Sequence, residues 1–230
     1  GWSDVPLNVR LNVRFDEAIN SLSLTNLVLT DEDGKNVAVT RSISADRLVV
    51  TLQPRVSLEA NSNYSLSINL IEDLSGNLME TQTLRFTTGA TVDTQKLSVE
   101  CITPDHSYGY RGMVVPLNAV IEFRVSEPID PTTLSSHRVY LYNRTEERRV
   151  ATDLVLSEQG RRVQLVPQSP LTAGHGYAIK IGYLSDLAGN LINHRRDYHS
   201  YFTAGDSHQT EVLVVTGHNL TQGTEAVATN

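Results

Sequence analysis

Leu7, Val9, Leu11, Val13 and Phe15 alternate along the chain with polar residues, and Leu117, Ala119, Ile121, Phe123 and Val125 repeat that phase 110 residues later. A period of two puts such side chains on one face of a strand, and a slip of one residue would turn the whole set toward water. Similar short alternating runs predict strands at about 7–15, 24–30, 37–43, 47–53, 64–71 and 82–88, and again at about 97–102, 117–125, 137–142, 149–156, 161–166, 176–184 and 197–203. Turn residues such as Asp31-Glu32-Asp33-Gly34 and Ser75-Gly76-Asn77 bound these runs, and no helical period competes with them. The expected fold class is all-β: tandem immunoglobulin-like antiparallel β-sandwiches of Greek-key type.

The two sets of strands are copies. Val5–Asn20 aligns without gaps to Val115–Asp130 with seven identities in sixteen positions, among them Val5-Pro6-Leu7-Asn8 against Val115-Pro116-Leu117-Asn118. Leu48–Leu78 aligns to Arg161–Leu191 with twelve identities in 31 positions. Agreement of that order reflects a duplicated structural unit, and the length differences between copies belong in loops, where closure entropy grows slowly with length. The expected domains are 1–91, with its opening strand missing or truncated, and 92–206. Residues 207–230 are expected to begin a third repeat, since Glu211–Thr216 resembles Leu97–Ile102. On that reading the chain is a cut from a longer array.

Leu58 and Tyr64 recur as Leu171 and Tyr177, each tyrosine just ahead of an alternating strand. Such a residue can bury its ring while its hydroxyl bonds backbone across the turn, the tyrosine corner of Greek-key sandwiches. With Glu127-Pro128-Ile129-Asp130, Pro167, Leu171, Tyr177 and Asp186-Leu187-Ala188-Gly189-Asn190, the second copy resembles the bacterial Ig-like domains of S-layer and other large surface proteins. The first copy resembles them through Glu17-Ala18-Ile19-Asn20, Pro54, Leu58, Tyr64 and Asp73-Leu74-Ser75-Gly76-Asn77. The resemblance implies a spacer or adhesive module outside the cell, without catalytic residues. The first copy departs from it at its start, where only Val5-Pro6 precedes the long alternating run.

Composition narrows the partners. A formal charge of −7 argues against nucleic acid and against anionic membrane, both of which need clustered Lys and Arg. The pairs Arg148-Arg149, Arg161-Arg162 and Arg195-Arg196 are scattered and are expected on solvated strand positions. No apolar run approaches bilayer-spanning length, and Gly1-Trp2-Ser3-Asp4 is not a signal peptide. The single Cys101 permits no intramolecular disulfide and sits in an apolar run, as a buried small hydrophobe would.

Candidate chemistry is sparse. Asp73 with Asn77, and Asp186 with Asn190, could offer oxygens to Ca²⁺, but two or three donors fall short of the six or so that the ion takes. Turn capping by Asp and positive-φ backbone at Gly-Asn explains the same residues. His194 and His199, five apart on a strand, face opposite ways and cannot share a metal ion unless a bulge or turn intervenes. His175 lies at a turn without a sequence-near partner, and the histidines are expected to be solvent-exposed. Asp31-Glu32-Asp33 and Glu146-Glu147 are expected as solvated turns. Tyr140 and Tyr142 share the outward face of a strand whose inward face is Val139 and Leu141, and Tyr108-Gly109-Tyr110 is expected as a hinge contact. No nucleophile elbow or phosphate loop is present, so no catalytic, cofactor or metal site is assigned.

The function expected is therefore a non-catalytic structural spacer in a large, cell-surface or secreted bacterial repeat protein, with neighbouring repeats of the same polypeptide as partners. One alternative is an adhesive module recognising a glycan or protein through end loops or a sheet face. The other is a strand-exchanging assembly subunit that uses the 211–216 tail strand.

Overall fold

The computed structural model describes residues 1–103, 113–192, 198–208, 213–214 and 227–228; of 100–103, 198–200 and the two tail pairs only the backbone is described. In the first half the alternating runs form β1 (Trp2–Val5), β2 (Leu11–Arg14), β3 (Leu27–Thr30), β4 (Val39–Ile43), β5 (Val49–Pro54), β6 (Asn63–Ile68) and β7 (Gln82–Thr88). They make two sheets in the orders β1-β7-β6-β3 and β2-β5-β4. Between the sheets lie Leu27, Leu29, Val50, Leu52, Leu66 and Ile68, all buried, each from the inward phase of its strand.

The second half repeats this plan with two additions. β8 (Val99–Thr103), β9 (Val114–Val115), β10 (Ile121–Val125), β11 (Val139–Asn143), β12 (Arg148–Arg149), β13 (Thr152–Ser157), β14 (Arg162–Pro167), β15 (Gly176–Ile181) and β16 (Tyr198–Ala204) give the sheets β13-β14-β10-β8 and β12-β11-β15-β16-β9. The tail strands β17 (Leu213–Val214) and β18 (Val227–Ala228) pair with each other, so the 211–216 tail strand expected to exchange between molecules has a partner within the tail.

The long alternating run of the first copy is not one strand. Val5 ends β1, which runs parallel to β7 in one sheet, while Leu11 starts β2 in the other sheet. A turn closed by Val9 N–H donating to Pro6 O at 3.1 Å carries the chain across. β9 and β10 repeat that switch in the second copy, with β9 parallel to β16. Periodicity could not reveal it, because the inward phase is kept on both sides of the turn. The run expected from 24 is likewise shortened, since Ser21–Asn26 forms a 3₁₀ turn capped by the Asn20 side chain.

Both tyrosine corners form. The Glu59 N–H donates to the Tyr64 hydroxyl at 2.9 Å, and the Thr172 N–H donates to that of Tyr177 at 2.8 Å. Each ring stacks inside its core, Tyr64 on Phe86 and Tyr177 on Phe202.

One edge differs between the copies. β10 pairs with β8 on its outer side, and Ile121 and Phe123 are fully buried, with Leu97 beside them in the core. β2 has no strand in that place among the described residues, and its Leu11 and Val13 are only half-buried. A cleft of about 690 Å³ follows this open side, lined by Trp2, Val5, Leu11, Val13, Leu84 and Phe86 and, from the second half, by Asp130, Pro131 and Leu187.

Candidate functional site

The turn shared by both copies is built on an aspartate. Asp73 Oδ1 accepts from the Ser75 and Asn77 N–H groups at 2.7 and 2.8 Å, and Asp186 Oδ1 accepts from those of Ala188 and Asn190, both at 2.9 Å. Gly76 and Gly189 take φ of +86° and +88°, the left-handed backbone that an L side chain resists. The asparagines do not share that positive φ. Asn77 instead donates its side-chain amide to Asp73 Oδ2 at 2.6 Å. These bonds from Asn77, side chain first and then backbone, hold the Asp73 carboxyl below the usual aspartate value.

In the second copy the same turn lies against the first sandwich. The Arg10 N–H donates to Leu187 O at 2.7 Å, and the Leu187 side chain packs on the edge of the first core. Asn12 donates to the Asp130 carboxylate, the Arg14 guanidinium donates to Thr132 O at 2.9 Å, and the Ser3 hydroxyl donates to Gln159 Oε1 at 3.0 Å. The Trp2 ring lies so close over Gly160 that a Cβ there would stand 2.9 Å from it. The loops that carry Asp130, Gly160 and Leu187 thus form one end of the second sandwich, and that end is docked on β1 and β2.

The linker closes this junction on one side. Asn8 grips the Asp93 backbone from both directions, its amide donating to Asp93 O at 2.7 Å and its Oδ1 accepting from the Asp93 N–H at 2.8 Å. Asp93, Glu127 and Asp186 then bring carboxylate oxygens within 4.8 Å of one another, at the wall of a cleft of about 380 Å³ that Asp4, Arg161 and Leu187 also line. Asp186 is almost fully buried, with 2% of its surface exposed, and its Oδ2 has no hydrogen-bond partner among the described residues. Burial foremost, and then the Asp93 charge, push its carboxyl up, against the pull of the Asn190 amides and the Ala188 N–H. Glu127 is pushed up to about 7, first by burial, then by its hydrogen bond to Asp93 and the charges of Asp93 and Asp186, with Arg161 opposing.

Sequence reasoning named Asp186 and Asn190 here but missed Asp93 and Glu127. The only signal was that Glu127 repeats Glu17; nothing in the linker sequence marks Asp93, because its neighbours come from segments 34 and 93 residues away. Asp73 and Asp186 do not meet, each capping its own turn in its own sandwich.

The other candidates divide. Val139 and Leu141 are fully buried, so Tyr140 and Tyr142 lie on the outer face, yet both are half-buried, and the Arg149 guanidinium stacks 3.9 Å from the Tyr140 ring centroid. His175 is not the solvated turn residue expected: its Nδ1 lies 3.1 Å from the Asn143 side-chain amide and 3.7 Å from Glu146 Oε1. Asp31 caps its own turn through the Asp33 and Lys35 N–H groups. Among the arginine pairs, Arg148 meets Glu146, Arg161 donates to Ser126 O, and Arg162 meets Glu122. Tyr108, Tyr110, His194, Arg195 and Arg196 lie outside the described residues, as do the side chains of Cys101 and His199.

A family model described as "Bacterial Ig-like domain" matches residues 1–88 and 93–204. The chain belongs to the bacterial Ig-like domain family. Among solved structures, the N-terminal part of the bacterial S-layer protein SbsC is 12% identical, with 89% of this chain and 43% of that one aligned and a TM-score of 0.34. A larger SbsC structure, rSbsC(31-844), is also 12% identical, over 94% of this chain and 26% of that one, with a TM-score of 0.34. An L,D-transpeptidase from Mycobacterium tuberculosis H37Rv is 14% identical, over 89% and 85%, with a TM-score of 0.28. The chain spans less than half the length of these SbsC structures. These likenesses concern the fold alone. The search of curated proteins gives no match. Among the described residues no helix is long and apolar enough to cross a membrane.

Proposed function

We propose that this chain is a non-catalytic structural spacer of a bacterial cell-surface or secreted repeat protein, with repeats at 1–91 and 92–206 and a third beginning within 207–230. The observation that carries the reading is the docked junction, where Leu187 bonds Arg10 through its backbone and covers the edge of the first core with its side chain. A spacer transmits length and direction only if successive modules hold a fixed angle, which a bare flexible linker does not provide. The first copy offers the matching surface for a neighbour: Leu74, the counterpart of Leu187, is 61% exposed on the equivalent turn. Head-to-tail use of one such surface per repeat gives an open, extendable array.

The test is the rotational diffusion of the two halves by ¹⁵N relaxation. One shared, anisotropic correlation time is expected, whereas two independent times would end the spacer reading. A second reading, exchange of the 211–216 strand into the open side of β2, is favoured by the cleft beside that strand. The pairing of β17 with β18 opposes it. Deleting 207–230 should abolish any oligomer formed in that way, and unchanged sedimentation after the deletion would remove it.

A further inference from the structure

We propose that the junction between the two sandwiches is a calcium-binding site, formed by the carboxylates of Asp93, Glu127 and Asp186. The three residues come from separate segments, the linker, the loop after β10 and the turn before β16, and their oxygens converge within 4.8 Å. Ionised together, three carboxylates at that spacing repel one another, which a proton held between Glu127 and Asp93 relieves in part and a cation would relieve fully.

Comparison of the two copies of the turn supplies the independent observation. In the first, both oxygens of Asp73 are satisfied, Oδ2 by the Asn77 amide at 2.6 Å. In the second, the Asn190 amide is divided: it lies 3.4 Å from the Asp93 carbonyl and 3.3 Å from its Oδ2, and its pull on the Asp186 carboxyl stops short of a hydrogen bond to Oδ2. Asp186 Oδ2 is left buried without a donor among the described residues, in a residue 2% exposed that lines the cleft. A buried carboxylate oxygen with no partner is costly and calls for a missing positive group.

Charge and donor type select the ion. Asp4 and the three clustered acids line this cleft with Arg161 as the one basic residue among its described lining, so the site is acidic and favours a cation. The donors are all oxygen, which favours hard cations over zinc or copper. Ca²⁺ accepts carboxylates and water in a flexible sphere, whereas Mg²⁺ demands near-ideal octahedral geometry, which three acids from separate segments do not impose. Their oxygens lie close enough to converge on one ion, and the open cleft admits water to complete its sphere.

Bound there, calcium fastens the linker at Asp93 to the second sandwich at Glu127 and Asp186, while Asn8 holds Asp93 to the first. The stiffening of the junction rests on the spacer reading; the binding site does not.

The experiment is calorimetric titration of the chelator-treated 230-residue chain with CaCl₂, and separately with MgCl₂. One calcium site is expected, with weaker magnesium binding, and with affinity at least tenfold lower in Glu127→Gln and Asp93→Asn. Glu17→Gln, at the matching position of the first copy, should bind as the wild type does. Asp186→Asn also touches the turn cap, so Glu127→Gln, checked for native circular dichroism, is the deciding variant. The proposal is overturned by absence of saturable binding up to about 10 mM calcium, beyond the range of weak extracellular sites. Wild-type affinity in Glu127→Gln overturns it as well. Failure of binding leaves the relaxation test of the spacer untouched, and independent tumbling of the halves leaves the binding result standing.

Discussion

Replacing Leu187 by alanine removes apolar surface from the junction while keeping the backbone bond from Arg10 to Leu187 O. A fully buried leucine is worth about 1.5–3 kcal/mol, and Leu187, half-buried at a contact that water can refill, should give about 1 kcal/mol. Because that side chain covers the edge of the first core, the loss should fall on the first sandwich although the substitution lies in the second. For a module of this size about 1 kcal/mol lowers the melting transition by roughly 4–8 °C. Differential scanning calorimetry of the whole chain reads this directly, with the second transition expected to move little. Leu74→Ala is the internal control: the same residue in the same turn, 61% exposed, should change stability by less than about 0.5 kcal/mol. Equal effects of the two substitutions, or a first transition that stays within about 1 °C in Leu187→Ala, would refute the docked junction.

Tyr177→Phe leaves the Thr172 N–H without its acceptor at the rim of the core and should cost the second sandwich about 1–2 kcal/mol by urea denaturation, with Tyr64→Phe doing the same to the first through Glu59. Gly160→Ala places a Cβ 2.9 Å from the Trp2 ring on a backbone of φ +88°, so the emission of this sole tryptophan should shift to the red as the ring is displaced into water. Asp73, whose folded value is lowered chiefly by Asn77, contributes stability that is present above its unfolded value near 3.8 and lost as pH falls through the lower folded value. Asp73→Asn should therefore flatten the acid limb of the first transition below about pH 4 in melts recorded against pH.

The fold was legible because its signals are local. Tyr64 and Tyr177 announce their corners through the residues around them, and the bond each hydroxyl makes reaches only five residues back. The Asp-to-Gly-Asn turn is similarly closed by bonds spanning two to four residues, so its sequence is its geometry, apart from the role of asparagine, which secures the aspartate. The sheet switch between Val5 and Leu11 was hidden, because a turn that preserves the inward phase leaves no break in the alternation. The candidate site was hidden for another reason. Its acids stand 34 and 59 residues apart in sequence, and each alone resembles an ordinary loop carboxylate.

What the sequence determined by itself is the module: two copies of an Ig-like sandwich, set by a period of two, a tyrosine and a capped turn. Those features act over a few residues and survive in both copies. What the tertiary structure decided is the difference between copies. Leu74 faces solvent while Leu187 is docked, and Asp73 is satisfied while Asp186 is not, although the two turns match in four of five residues from the aspartate to the asparagine. The environment of the second turn comes from what the chain packs against it, the first sandwich and its linker. Burial and electrostatic repulsion depend on those distant neighbours, so no reading of the turn alone could separate the two.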